Sequence, residues 1–251
     1  MSEALLRTAG LTKEFGEITA VDDVNVEFGE GETTALIGPN GAGKTTFFNL
    51  LTGVLEPTQG EVRFREEVIS GRPPHEIARI GITRSYQITN FFPGLSATEN
   101  VRLAAQADET GFGPSDFLRH NRSIESATTE AERVLSRLGL SDVADRPAHN
   151  LSHGQQRHLE MGIAFARDPD LLLLDEPTAG MSPSETNDTI TLIQELAEDV
   201  TIVIVEHDMN VVMDVSDRIA VMYHGSLLAV DEPDEIRENE EVQDVYLQGG
   251  N

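Results

Sequence analysis

From Gly38 to Thr45 the chain reads Gly-Pro-Asn-Gly-Ala-Gly-Lys-Thr, which fits the pattern G-x-x-x-x-G-K-[ST]. A strand-like run at Thr33–Ile37 precedes it, and the helical run Thr46–Leu51 follows, stopped by Gly53. Each part has a physical task. Glycines let the backbone turn so that successive N–H groups face inward onto phosphate oxygens. The helix start beyond adds its dipole to the same anion. Candidate phosphate-binding residues are therefore Gly38, Pro39, Asn40, Gly41, Ala42, Gly43, Lys44, Thr45 and Thr46. Lys44 would reach the β- and γ-phosphates, and the Thr45 hydroxyl would ligate Mg2+. Along the chain, strands alternate with helices over short links, which argues an α/β parallel sheet interrupted by a helical insertion near residues 90–165.

Lys44 is also conspicuous by composition. Of 18 basic residues only Lys13 and Lys44 are lysines, the rest being arginines. A compact ammonium fits between phosphates where a planar guanidinium does not. Against these stand 44 acidic residues, for a net charge of −26. That balance excludes a general nucleic-acid-binding surface and points to adaptation to high salt, where dense carboxylates keep a protein hydrated while ions screen their repulsion. A 39% hydrophobic content spread through the chain argues against disorder. With no cysteine, disulfides, zinc–thiolate sites and a thiol nucleophile are ruled out. The opening MSEALLRTAG lacks the basic-then-apolar pattern of an export signal. No apolar run approaches the ~18–20 residues that cross a bilayer, so a cytoplasmic chain that meets a membrane through partners is expected.

Patterning organises the remainder. Strands are expected at Ala4–Leu11, Ile18–Phe28 and Thr33–Ile37. Ser96 and Glu99 have capping-box spacing and open a helix expected to reach Ala107. A Gly/Pro-interrupted polar patch, Asp108–Asp116, precedes a helix around Ser126–Leu138. Leu171–Leu174 is wholly apolar, as in a strand buried on both faces of a parallel sheet. Ser182, Pro183 and Glu185 then start a helix to about Glu198, and Thr201–Val205 is a β-branched strand. The acidic tail Asp231–Asp244 reads as a solvated helical face.

At the tip of Leu171–Leu174 stand Asp175 and Glu176, where ligands gather in open α/β sheets. Asp175 is the candidate Mg2+ carboxylate. Glu176 is the candidate base that polarises a water for attack on the γ-phosphorus.

Leu151-Ser152-His153-Gly154-Gln155-Gln156-Arg157, just upstream, resembles the LSGGQ segment of ATP-binding cassette (ABC) transporter ATPases. Ser152 and Gln155 again have capping-box spacing, so a helix should run from Ser152 to about Arg167. The resemblance covers nearly the whole chain. It implies a phosphate-loop (RecA-like) mixed sheet core, an N-terminal antiparallel β subdomain and an inserted α-helical subdomain. The core and β parts would span 1–90 and 166–251, and about 91–165 would be helical and carry the signature. It implies ATP and Mg2+ as ligands, Phe15 stacking on adenine, and Gln87 reaching Mg2+ and the attacking water. It also implies that His207 contacts the γ-phosphate, and that Ser152, Gly154 and Gln155 complete the site of a second cassette in a head-to-tail dimer. His153 replaces the usual glycine, and Ser182 stands where many relatives of this family carry aspartate.

Within the family, Gly154-Gln155-Gln156-Arg157, Ala179-Gly180-Met181-Ser182-Pro183, Glu206-His207-Asp208-Met209, an insertion around Gly111–Arg122 and the terminal Val245-Tyr246-Leu247 resemble branched-chain amino acid importers. Urea and short-chain amide importers and lipopolysaccharide-export cassettes share much of this spelling. Transmembrane permease subunits, and through them an extracytoplasmic solute-binding protein, are the implied partners at the cytoplasmic face of the membrane. A soluble cassette of DNA repair or translation fits less well, because this chain has one cassette and no zinc module. A non-hydrolysing adaptor would tend to lose Glu176 or His207, and both are present.

Overall fold

The computed structural model describes residues 4–85, 91–106 and 116–248. Two long strands, β1 (Ala4–Phe15) and β2 (Ile18–Gly29), pair antiparallel. β1 runs four residues past its expected end at Leu11, since pairing with β2 continues to Phe15↔Ile18. β3 (Thr33–Ile37) leads through the glycine-rich loop into α1 (Lys44–Leu51). β4 (Gln59–Phe64) and β5 (Glu67–Val68) complete a four-stranded antiparallel sheet in the order β2-β1-β4-β5. Then come α2 (Pro74–Arg79) and β6 (Ile82–Ser85).

Three helices follow: α3 (Ala97–Ala105), α4 (Asp116–Arg137) and α5 (His153–Phe165). Both α3 and α5 open with a complete capping box, on Ser96/Glu99 and Ser152/Gln155, as their spacing predicts. α4 starts ten residues before the expected Ser126. Its described core positions Ala127, Ala131, Val134 and Leu135, with Leu138 just past its end, keep helical spacing. A Cβ on Gly162 would lie 2.1 Å from Leu138 Cδ1, so α4 and α5 approach closely there.

β7 (Leu171–Asp175), α6 (Pro183–Ala197), β8 (Thr201–Val205), α7 (Met209–Val215), β9 (Arg218–Tyr223) and β10 (Ser226–Asp231) close the main sheet. Its order is β10-β9-β3-β8-β7-β6, with β10 antiparallel to a parallel group of five. β3, β7 and β8 are buried at every residue, which explains why their spelling is mainly apolar, with only Thr33, Thr34, Asp175 and Thr201 as polar members at their ends. Parallel pairing brings the ends of β3, β8, β7 and β6 to one edge, where the register matches Leu36 to Val205 and Val205 to Asp175.

One apolar core lies between the main sheet and the helices α3 to α7. A second fills the space between the two sheets around α1, where Phe28 and Phe47 lie 6.4 Å apart between ring centres. Fully buried Phe47 and Phe48 anchor α1 from behind, and truncating either costs about 3–5 kcal/mol. The acidic tail is not one solvated helix. It breaks at Asn239 into α8 (Pro233–Glu238) and α9 (Glu240–Gln248), and Ile236 and Val242 are buried against the first core. Among the described residues no helix is long and apolar enough to cross a membrane.

Candidate functional site

The phosphate loop is built on glycines that cannot be replaced without displacing backbone. Gly38 sits at φ +149° with a Cβ position 2.2 Å from the Met222 carbonyl oxygen. Gly43, at φ +102°, would place its Cβ 2.4 Å from the Ala20 carbonyl oxygen. Gly41 has nothing within 4 Å of that position, so the loop is packed behind and open in front. Gly225 N–H donates to the Ala42 carbonyl at 3.0 Å and the Gly225 carbonyl accepts from Asp22 N–H at 2.9 Å. The β9–β10 turn thus ties the loop to both sheets. Gly43 heads α1 with no side-chain cap, leaving the helix start available to an anion.

Lys44 is buried, and its Nζ donates to the carbonyls of Gly38 at 2.6 Å and Pro39 at 3.1 Å. Burial lowers its pKa below the usual 10.5, while the charges of Glu176 and Asp175 act in the opposite sense. Thr45 is exposed and Thr46 half-buried on the same first turn. Open frontage, an uncapped helix and a pre-held ammonium fit a triphosphate.

Asp175 is buried at the tip of β7 and pairs with Arg84 of β6, Oδ2 to Nη2 at 2.5 Å, the two side chains being 7% and 6% exposed. Arg84 also donates to Asn49 Oδ1 at 2.7 Å and lies 5.4 Å from the Phe48 ring, so it binds three elements together. Nothing in the local sequence marks Arg84, because its partner is 91 residues away. Among the described residues no group of three or more His, Asp or Glu side chains could hold a metal. A hard cation here would take a hydroxyl and a carboxylate, Thr45 and Asp175, and fill its shell with phosphate oxygens and water, which is how Mg2+ is usually held.

Glu176 occupies the left-handed region at φ +49°. This unfavourable backbone is held by its N–H donating to the Val205 carbonyl at 2.8 Å. Its carboxylate Oε1 lies 3.0 Å from His207 Nε2. Glu206, beside His207, is a buried carboxylate accepting from Thr178 and from the His207 amide. Sequence reasoning missed both Arg84 and Glu206.

Ser152 caps α5, its Oγ accepting from Gln155 N–H at 3.3 Å while Gln155 Oε1 accepts from Ser152 N–H at 3.1 Å. Ser152 and His153 are exposed. Gly154 packs on α6, a Cβ there lying 2.9 Å from Glu185 Oε1. Glu185 is held below the usual carboxylate range chiefly by the Ser182 hydroxyl, then by the Ser182 amide. Ser182 thus caps α6. Among the described residues no hydrogen bond or ion pair joins Ser152, Gly154 or Gln155 to the phosphate loop within one chain. Phe15 ends β1 with 46% of its surface exposed and Lys13 Nζ 5.3 Å from its ring centre. Lys13 is fixed in turn by donating to the Glu56 carbonyl at 2.7 Å. Gln87 lies outside the described residues.

A triphosphate seated on the loop would therefore meet an ammonium, two carboxylates at adjacent positions and a histidine that touches one of them. That set can bind the charge, hold a cation and orient a water.

A profile described as ABC transporter matches residues 21–179. The high-affinity branched-chain amino acid transport ATP-binding protein LivG of Salmonella typhimurium is 43% identical, over 98% of this chain and 99% of its own. The probable branched-chain amino acid transport ATP-binding protein LivG of Archaeoglobus fulgidus is 36% identical over 97% and 95%. Among solved structures, the ADP conformation of an ATP-binding cassette of an ABC transporter matches with TM-score 0.85 and 30% identity, covering 100% of both chains. A dimeric bacterial ABC transporter cassette matches with TM-score 0.76 and 28% identity over 91% and 98%.

Proposed function

This chain belongs to the ABC transporter family, and on that premise we propose that it is the ATP-hydrolysing motor subunit of an importer of branched-chain amino acids. The observation that carries the reading is the convergence of Lys44, Asp175 and the Glu176–His207 pair at one edge of the sheet.

In this reading Phe15 stacks on adenine and the amides of residues 38 to 46 hold the phosphates. Lys44 leaves the carbonyls of Gly38 and Pro39 for the β- and γ-phosphates. Glu176 accepts a proton from the attacking water, and His207 steadies that carboxylate and the γ-phosphate. Mg2+, held by Thr45 and Asp175 with Gln87, would neutralise charge on the phosphates. Ser152, Gly154 and Gln155 of a second cassette, identical or paralogous, cover the nucleotide, so two chains close head to tail on two ATP molecules. Closing that dimer is a two-state event that ATP biases by binding one state better.

We read residues 1–90 and 166–251 as core and β subdomain, and about 91–165 as the helical subdomain. Between them runs a groove of about 370 Å3 lined by Ile77 and Ser85 on one side and Glu160 and Ile163 on the other. Phe92, 61% exposed, is in the 91–165 part. These features support docking of transmembrane permease subunits at the cytoplasmic face of the membrane, and through them of an extracytoplasmic solute-binding protein. The charge of −26 supports a salt-rich cytoplasm and gives no purchase to nucleic acid.

The test is cargo uptake. Cells carrying Lys44→Ala should lose uptake of radiolabelled leucine, isoleucine and valine, and the purified variant should release no phosphate from ATP. Normal leucine uptake with urea or short-chain amide uptake lost would reassign the cargo. Normal uptake of all of these with a defective outer lipid layer would indicate export.

A further inference from the structure

Two loops carry the groups placed around the γ-phosphate: Glu176-Pro177-Thr178 after β7, and Glu206-His207 after β8. Glu206 lies where they meet. It is 4% exposed, yet it is a carboxylate. Its Oε1 accepts from the Thr178 amide at 3.0 Å and from the Thr178 hydroxyl at 2.6 Å. Its Oε2 accepts from the His207 amide at 3.0 Å. All three partners are neutral donors, and each lies on one of the two loops. A buried carboxylate is costly unless such charge-assisted bonds satisfy it, so this contact holds only while both loops keep their places.

The neighbouring residues complete a staple between adjacent strand tips. Glu176 N–H is bonded to Val205, the residue just before Glu206. Two places on, Thr178 is bonded to Glu206 itself. Glu176 sits between these ties in a left-handed conformation that needs outside support. His207, fixed at its amide by Glu206, reaches back to Glu176 at 3.0 Å.

We propose that Glu206 is a positioning residue that locks the Glu176 loop to the His207 loop and thereby sets the geometry of the Glu176–His207 pair. The inference rests on the reading of that pair given above. Glu206 touches neither nucleotide nor water in this scheme and acts through His207.

Glu206→Gln separates the two halves of the contact. The two donors of Thr178 require an oxygen, so the amide oxygen stays there and the amide nitrogen turns to His207 N–H, donor against donor. The Thr178 side is kept and the His207 side is lost. Phosphate release and binding of a fluorescent ATP analogue are to be measured on the full chain for wild type, Glu206→Gln, His207→Ala and the double variant. The expected result is a fall in kcat of about tenfold or more for Glu206→Gln, with analogue affinity within about twofold of wild type, and no additional fall when it is combined with His207→Ala. Unchanged kcat in Glu206→Gln, or an equal fold-loss in both backgrounds, overturns the inference while leaving the site reading intact. Full kcat in His207→Ala alone overturns the site reading instead. Thr178→Val, which removes only the hydroxyl donor, gives the same decision by the same cycle should Glu206→Gln not fold: a loss of kcat that vanishes in the His207→Ala background is expected.

Discussion

Glu176 Oε1 lies 3.0 Å from His207 Nε2, a contact between residues at the tips of neighbouring parallel strands, β7 and β8. Neither residue could hold this position alone. Glu176 is turned into it by a left-handed backbone, and His207 is half-exposed on a short loop. Removing the carboxylate's basicity without changing its shape is therefore the sharpest probe of the site. Glu176→Gln should lower ATP turnover by about 10²–10⁴-fold while ATP stays bound. Size-exclusion chromatography with ATP should then show a long-lived dimer, and phosphate release at the wild-type rate would refute the assignment.

The buried pair between Arg84 and Asp175 predicts a stability effect separate from catalysis. Arg84→Met leaves Asp175 charged and buried without its partner, and should cost about 3–5 kcal/mol in chemical denaturation of the nucleotide-free chain. Arg84→Lys keeps the charge but cannot reach Asn49 and Asp175 together, and should fall between. A denaturation midpoint unmoved by Arg84→Met would show that the pair contributes nothing.

Lys44 predicts a pH dependence. Burial disfavours its charged form in the folded chain, so its folded pKa lies below 10.5. Between that lowered value and 10.5 the unfolded chain binds more protons than the folded one, so Lys44's contribution to stability rises with pH through that window. Nucleotide binding runs the other way, because phosphates need the ammonium. ATP affinity should weaken on the alkaline side earlier than an ordinary lysine would allow, and calorimetry in buffers of different ionisation enthalpy should detect proton uptake on binding there. Affinity flat across that range would remove Lys44 from the phosphate contacts.

Charge sets the solvent requirement. With −26 on 251 residues, mutual repulsion should destabilise the chain in dilute buffer, and molar KCl should relieve it as the screening length shrinks to about 3 Å. Thermal melts at increasing KCl should rise steeply. A melting temperature independent of salt would exclude halophilic adaptation.

What the sequence disclosed and what it hid divide by range. The phosphate loop, the three capping boxes and the buried strands β3, β7 and β8 are written in consecutive residues, and the structure has the corresponding elements. Arg84 with Asp175, and Glu206 with Thr178, are pairs made by folding between residues with no local signature. The start of α4 was illegible for a different reason, since residues 116–125 are mostly polar and offer little apolar periodicity. The tail misled because eight carboxylates obscure two buried apolar residues, Ile236 and Val242. Gln87 falls outside the described residues.

The placement of β3 has a consequence for biosynthesis. Its two neighbours in the sheet are β8 and β9, and the turn bonded to Ala42 contains Gly225. A chain emerging from the ribosome therefore carries its glycine-rich segment well before the flanking strands, which are made only when synthesis has passed residues 201–223. Nascent fragments ending before Tyr223 should neither capture nucleotide nor burn it, which keeps half-made motors idle.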